Sequence, residues 1–458
     1  MEHGVSPDAA LIGRRRLLKA AVAVGAAGLV GVGCGTAVGG APAGVRSTGT
    51  TTAGRTSGVE LTGSAATAPS TPPTTTATTT AAGTTTTGPT GLVHPGLLHT
   101  QADLDRMAAK VAAGAQPWAA GWDRLTANPH SRNTWQPSAQ ATVYRGTGSP
   151  ENYAKLYNDI HAAYQNALRW RITGDTRHGD TARDILNAWS GTLRAVEGTA
   201  DRYIAAGVYG YQFANAAELM RDYPGFELAR FQNMMLSVFY PLNNRFLLEH
   251  NGAYITNYWA SWDQLTYASV LAIGVLCDDR GKVGQAIDYF QSGAGMGSIR
   301  NAVPVLHPGG LGQWVESGRD QGHATLGIGL TAAFCEMAHN QGYDMYGYDD
   351  NRFLAGAEYA AKYNLGQDVP YTAFTWKKGN PNSWSGSETF TAASPAGRGN
   401  VRPIWEMIHN HYVVRKELSA PNISAMAAQH RAEGGGGDYG PNSGGFDQLG
   451  FGTLTCTR

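Results

Sequence analysis

From residue 92 to the C-terminus, apolar side chains recur at spacings of three and four, as they do in helices that bury one face. In "HTQADLDRMAAKVAAG" the repeat is Leu104, Met107, Ala108 and Val111, with Thr100 placed to cap and Asp103 three residues later to close a capping box. In "YAKLYNDIHAAYQNALRWRITGD" it is Tyr153, Leu156, Tyr157, Ile160 and Tyr164. That run stops at Thr173-Gly174-Asp175, whose glycine suits a helix end and whose aspartate suits the next cap. A second helix follows with Ala182, Ile185, Leu186 and Trp189 on its stripe, making one helical hairpin. Further helices are predicted near 206–221, 226–245, 258–276, 282–292, 320–338, 350–363 and 402–416.

These segments alternate in character. "LTYASVLAIGVLC" and "ATLGIGLTAAFCEMA" are apolar nearly all round, as a helix buried on every side must be. "RGKVGQAIDYFQSG" and "DDNRFLAGAEYAAKY" keep a polar face. Buried helices alternating with half-exposed ones predict an inner and an outer ring, an all-α fold of the incomplete α/α toroid type; a plain helical bundle is the simpler alternative. The tail after Glu433 is glycine-rich and ends in the alternating "TLTCTR", which predicts a short strand or an extended strap.

Residues 1 to 91 follow another rule. "GRRRLLKAAVAVGAAGLVGVGCG" sets Arg14, Arg15, Arg16 and Lys19 before an apolar stretch too short and too rich in glycine and alanine for a stable membrane span. Residues 1–34 therefore read as an export signal of the twin-arginine type, with Arg14-Arg15 as the pair. Cys34 is a candidate lipid anchor, and cleavage near Ala41-Pro42-Ala43 is the alternative. Residues 35–91, culminating in "TPPTTTATTTAAGTTTTGPTG", have too few large apolar side chains to offset the entropy of ordering, and read as a disordered tether. The expected product is secreted or held at the cell surface, with residues 92–458 as its catalytic domain.

Charge narrows the partners. Lys plus Arg and Asp plus Glu are 35 each, so no general basic field points to nucleic acid. Cys277, Cys335 and Cys456 read as buried thiols, with a Cys277–Cys335 bridge open as an alternative.

If the rings alternate, the inner helices begin on one rim. "ESGRDQGH" (Glu316 to His323) opens the inner helix 320–338, and "TNYWASWDQ" (Thr256 to Gln264) opens the inner helix 258–276. "GVYGYQ", which contains Tyr211 and Gln212 and has Asn215 beyond it, lies at the start of the inner helix near 206. Helix N-termini present free N–H groups and partial positive charge, which favours anions. Trp259, Trp262 and Tyr258 can stack on sugar rings, and Asn257, Gln313 and Arg319 can bind a carboxylate, Arg319 through two parallel bonds. A uronate polymer broken by β-elimination needs a base for the proton at C5, donors for the charge that grows on the carboxylate, and an acid for the departing oxygen. Asn, Gln or Arg can serve as the donor, and His or Tyr as the Brønsted groups, without a metal.

"YWASWDQ" followed, after an apolar and an amphipathic helix, by "GRDQGH" resembles the alginate lyase superfamily. "PGLLHTQADLDRM", "TGD" after "LRWRI", and "RPIWEMIHNHYVVRK" support the resemblance across 92–458. It is nearer to polysaccharide lyase family 38 than to the family 5 alginate lyases. The resemblance implies an incomplete α/α toroid and metal-independent elimination on a β-1,4-linked polyuronate, with an acidic polysaccharide as partner and no cofactor. Family 5 carries an Asn-Asn-His element before "YWA"; here the stretch is "YITN", so Asn257 keeps the neutralising role and the histidine is missing. His323 is then the Brønsted residue, with Arg319 beside it. Tyr258 is the candidate for the second Brønsted role, with Tyr254 and His250 behind it. Glu316 completes the set around Arg319.

Each residue also has a plainer reading. Asp320 and Glu316 can cap and complement a helix start, Arg319 can pair with Glu316, His323 can be a satisfied core histidine, Asn257 a helix cap, and the tryptophans partly core. His409 and His411, two positions apart, point to different sides of a helix and make a poor metal pair with Tyr412. "EGGGGDYG" is a flexible loop. Two other function classes remain: a glycoside hydrolase on a helical toroid, needing opposed carboxylates such as Asp263 with Glu316 or Asp320, and a non-catalytic cell-surface polysaccharide-binding protein.

Overall fold

The computed structural model of the chain describes residues 91–146 and 151–458. The export signal, Cys34 and the tether as far as residue 90 lie outside the described residues. Helix α1 (Gln101–Ala112) begins at the expected capping box: Thr100 Oγ1 accepts from Asp103 N, and the Asp103 carboxylate accepts from Thr100 N at 3.0 Å. Helix α2 (Trp118–Ala127), not anticipated from the sequence, has a stripe of only Trp118, Gly121 and Leu125. Strand β1 (Thr142–Arg145) precedes α3 (Tyr153–Thr173), which ends on Gly174 at φ +73°; Asp175 then caps α4 (Thr176–Thr192), as the hairpin reading requires. Strand β2 (Ala195–Gly198) returns to pair in parallel with β1.

Helix α5 (Asp201–Ile204) continues through a wide π turn, Ala205–Tyr209, into α6 (Gly210–Leu219). Helices α7 (Leu228–Met234) and α8 (Tyr240–Glu249) are likewise joined by a π turn at Met235–Phe239. A 3.6-residue period cannot foresee the extra residue in such a turn. Next come α9 (Ala260–Leu276), α10 (Arg280–Ser292), the short α11 (Ile299–Ala302), the antiparallel pair β3 (Val305–His307) and β4 (Leu311–Gln313), α12 (Gln321–Asn340) and α13 (Tyr348–Asn364). A second antiparallel pair, β5 (Phe374–Gly379) and β6 (Ser385–Phe390), precedes α14 (Trp405–His409) with its π extension Asn410–Arg415, α15 (Pro421–His430) and α16 (Gly452–Thr455).

The rings expected from the hydrophobic pattern are present. Every residue of α9 and α6 is buried, and nearly every residue of α12. Around these lie α4, α7–α8, α10, α13 and α15, each with an exposed face. The inner helices run in parallel, as their cross-contacts show. Gly207 and Gly210 abut Leu265 and Ser269 of α9. Gln264 meets Gly327 of α12, and Tyr267 meets Phe334. Tyr153 stacks on Tyr209, while Arg171 at the far end of α3 donates to Leu219 O of α6. Gly329 meets Ile404 before α14, and Glu336 pairs with Arg415 beyond it. Parallel helices begin on one rim, and that rim collects the two sequence motifs. The fold is an incomplete α/α toroid.

Some expectations need correction. The tail after Glu433 does form an irregular strap, pinned by a bridge between Gly435 and Gly450, but "TLT" ends it as a helical turn, not a strand. Its alternation arises because Thr453 and Thr455 bond inward to Glu433 N and Phe451 O. Cys277 and Cys335 are both free thiols, so no bridge joins them. Among the described residues, no helix is long and apolar enough to cross a membrane.

Candidate active site

The segment leading into α12 is fastened to the start of α9 by one carboxylate. Glu316, on a single tight turn after β4, is fully buried. It accepts hydrogen bonds from Ser261 N (3.2 Å), Ser261 Oγ (3.4 Å) and Arg319 Nη1 (3.2 Å). Burial raises its pKa, against the lowering charges of Arg319 and His323. The two motifs thus meet at the rim, and the Arg319 guanidinium lies 5.5 Å from the Trp259 ring centre.

Asp320 caps α12 through His323 N (2.8 Å) and also holds the His323 ring, its Oδ2 lying 2.6 Å from Nδ1. The plainer reading of this aspartate, a helix cap, is therefore met, and the same carboxylate also orients the imidazole. Burial pushes the Asp320 carboxyl up, but hydrogen bonds from His323 and the charge of Arg319 bring it below its ordinary value. With Nδ1–H donating to the carboxylate, Nε2 carries the ring's lone pair, and Arg319 Nη2 faces it at 3.1 Å. Side-chain exposure of 10% for His323 and 24% for Arg319 leaves both within reach of solvent.

The β5–β6 hairpin walls this side of the rim. Phe374, Trp376 and Phe390 share one of its faces in register, and all three pack on Trp259; the Trp376 ring centre is 4.6 Å away. Asn257 is tied to the same wall, its Oδ1 accepting from Gly379 N at 2.6 Å. Helix α9 starts at Ala260, two residues later than the sequence pattern indicates, so Asn257 is not its cap. Tyr254 donates its N–H to Gly379 O and lies under Lys377, and Thr256 bonds Lys377 O. Trp259, only 4% exposed, is occupied by the hairpin and is not an open sugar platform.

Other expected residues are buried and engaged with the surrounding protein. Tyr258 accepts from Asn251 Nδ2 (2.9 Å) and packs on Phe246 and Trp262, and burial raises its pKa. Trp262 stacks on Phe246 as core. His250 is buried against Asp263 (2.8 Å) and Tyr289 (3.2 Å). Gln313 spends both ends of its amide on Thr372, at 2.8 and 2.7 Å, as a strut for the hairpin stem. Tyr211 and Gln212 hold the C-terminal strap through Asp447 O and Phe446 O, and Asn215 accepts from Leu98 N. These placements follow from long-range packing that no local motif encodes.

His409 turns to Ser424 and His411 to Tyr346 and Arg415, the divergence expected of positions two apart. Among the described residues, no three His, Cys, Asp or Glu side chains gather as a metal site. A groove of about 520 Å³ between α8 and α10 is lined by residues such as Leu248, Gln285 and Asp288 of the outer ring, not by the motif residues.

Sequence reasoning missed three charged residues near the same rim. Arg402 bonds Asp447 Oδ2 (2.8 Å) and Gly322 O (3.2 Å), next to His323. Arg145 lies over the rings of Tyr153 and Tyr209. All three stand singly in irregular segments or at a strand end, and no periodic signal marks them.

No protein-family model matches the chain, and no curated protein matches it by sequence. Solved structures do match. The apo form of an alanine variant of alginate lyase A1-III superposes with a TM-score of 0.50 at 13% identity, over 81% of this chain and 97% of that one. The fold is that of alginate lyase A1-III. The A1-III enzyme from Sphingomonas species A1 gives a TM-score of 0.48 at 13% identity, over 81% and 98% of the two chains. An alginate lyase from Bacteroides ovatus gives 0.42 at 13% identity, over 59% and 84%.

Proposed function

We propose that the chain is an exported polysaccharide lyase that cleaves a β-1,4-linked polyuronate, of alginate or glucuronan type, by metal-independent β-elimination. The observation that carries this reading is the Arg319–His323 pair at the rim of a toroid shared with an alginate lyase. Arg319 binds the carboxylate of the uronate unit and takes up the charge that grows on it as C5 loses its proton; one such donor contributes about 3–4 kcal/mol in comparable oxyanion sites. Drawn to the substrate, the guanidinium releases Nε2 of His323, and that nitrogen takes the C5 proton. The C4–O bond breaks as the C4=C5 double bond forms, and the imidazolium returns a proton to the departing oxygen. One Brønsted group serves both steps when proton and leaving group lie on the same face. Tyr258 accepts from Asn251 and packs on Phe246 and Trp262, and is not needed as a second Brønsted group in this scheme.

The hydrolase reading needs two carboxylates facing a sugar from opposite sides. Asp263 is enclosed by His250, Tyr289 and Gly297 N, and Glu316 by Ser261 and Arg319, so neither is placed for that work. The test is a panel of mannuronan, guluronan and glucuronan with purified protein, read by the ultraviolet absorbance of unsaturated uronate ends, with and without EDTA. Absorbance rising on at least one polymer and surviving EDTA supports the reading. New reducing ends without absorbance would make it a hydrolase, and loss on chelation would bring in a metal.

A further inference from the structure

Arg145 is the buried arginine of this rim that lacks a carboxylate. The residue is 8% exposed. Arg402 is as deeply buried but lies 2.8 Å from Asp447, and Arg415 lies 2.8 Å from Glu336. Among the described residues Arg145 makes no ion pair: Nη1 donates to Tyr209 Oη at 3.0 Å, and Nε is buried with no hydrogen-bond partner. Burying a guanidinium without a partner is unfavourable unless something else completes its fork of donors. Burial works to lower its pKa, yet the surrounding groups, Tyr209 and the carboxylates of Asp447 and Asp201 among them, outweigh this, so it remains a cation.

The backbone fixes where this cation sits. Arg145 ends β1 opposite Gly198, whose φ is +124° and whose added Cβ would fall 1.9 Å from Arg145 O. Gly146 follows at φ +95°, pressed against Thr199 Oγ1. Tyr153, the first residue of α3 and partly exposed, and Tyr209 lie 4.9 and 5.6 Å from the guanidinium at their ring centres. Both belong to the ends of α3 and α6 that form the rim. The strap joins this place to the first motif, because Asp447 is bound by Arg402 and Arg402 by Gly322 O beside His323.

We propose that Arg145, with Tyr153 and Tyr209, is a second carboxylate-binding position, holding a uronate unit of the same polysaccharide some distance along the chain from the unit at Arg319. This rests on the polyuronate reading of the rim. A planar fork of donors suits a carboxylate through two parallel bonds; the partly exposed Tyr153 offers its hydroxyl and ring face to the sugar, while the buried Tyr209 holds the guanidinium from within. A chain bound at two charged points on the rim is held in register for cleavage between them.

The test is calorimetric binding of mannuronate, guluronate and glucuronate tetrasaccharides, and of their carboxyl-reduced neutral counterparts, in a His323→Ala background where turnover does not consume the probe. Arg145→Gln should weaken the best tetrauronate about tenfold or more, and Arg145→Lys should fall between, since a lysine cannot form the bidentate pair. The neutral tetrasaccharide should bind the parent and both variants alike. Should Arg145→Gln fail to fold, Arg145→Lys carries the test, with a loss of about threefold or more expected. Unchanged tetrauronate affinity in a folded variant, or equal loss for the neutral sugar, overturns the proposal. Loss confined to the charged sugar, in a protein whose parent forms no unsaturated product, keeps the arginine site and overturns the lyase reading instead.

Discussion

Nη2 of Arg319 stands 3.1 Å from Nε2 of His323, the ring nitrogen left over once Asp320 has taken Nδ1. In the proposed mechanism the cation covers this nitrogen until the substrate carboxylate draws it away. His323 lies in the first turn of α12, while Arg319 precedes the extended N-cap Asp320 at the end of the tight turn that carries Glu316. Their relative geometry is thus set by the two carboxylates that hold them, Glu316 on Arg319 and Asp320 on His323, and Glu316 also fastens the pair to the start of α9.

Asp320 is a positioning residue. Asn is as good a helix cap as Asp, so Asp320→Asn should leave the thermal midpoint nearly unchanged. It removes the fixed acceptor for Nδ1–H and lets the ring take the other tautomer. The expected result is a fall in kcat of roughly 10²-fold or more, within the span of general acid–base contributions, with KM little changed. Equal kcat in the two proteins would show that the tautomer does not matter.

Arg319 carries charge for the buried Glu316. Arg319→Gln should abolish most turnover and also destabilise the fold, by up to about 3–5 kcal/mol where Glu316 stays ionised. The loss depends on pH with a definite sign. Burial holds the Glu316 pKa above its ordinary 4.5, so the folded variant keeps a proton that the unfolded chain releases. Its stability should then fall as pH rises above that value. Thermal melts of parent and variant at pH 5 and pH 8 check this, and a pH-independent difference would contradict it.

The strap supplies a second pH dependence. Glu433 is buried beside Glu406, and burial and that neighbouring charge push its pKa up to about 8. Its Oε1 accepts from Trp405 N and Glu406 N, while Oε2 has no partner. Between pH 4.5 and 8 the folded protein holds a proton the unfolded chain has lost, so this group makes stability fall with rising pH across that window. Glu433→Gln keeps the acceptor and removes the charge. It should raise the thermal midpoint at pH 8 and leave it nearly unchanged at pH 5.

How far the sequence reveals this protein depends on the range of the interaction. The double ring is legible because α9 and α12 are apolar all round while α10 and α13 are not. The meeting of the motifs follows from parallel inner helices. The β5–β6 hairpin was not anticipated, although Phe374, Trp376 and Lys378 alternate before an Asn-Pro-Asn turn, a strand signal among many helical ones. Missing it made Trp259 look like an open platform. His250 sits near the right motif in sequence, yet packs away from the opening on Asp263. Arg145 carries no local pattern at all, and only the fold shows it without an ion partner.

The hairpin matters because it presses Trp259 toward Arg319. Trp376→Ala removes the ring that stacks on Trp259 at 4.6 Å. An exposed-edge aromatic pair contributes about 0.5–1.5 kcal/mol beyond its buried area, so the toroid should survive. Arg319 would lose its firm floor, and KM for the polyuronate should rise severalfold. Unchanged kinetics would mean that the hairpin is not part of the site.

The central claim is that the His323 imidazole moves the C5 proton. The most direct measurement is the initial rate of unsaturated-uronate formation by the parent and by His323→Ala, on the best polymer of the panel, with helical circular dichroism recorded for both. The expected result is a loss of roughly 10²–10⁴-fold or more in the variant with an unchanged helical spectrum. A folded His323→Ala protein that forms the double bond at the parent rate would contradict the account.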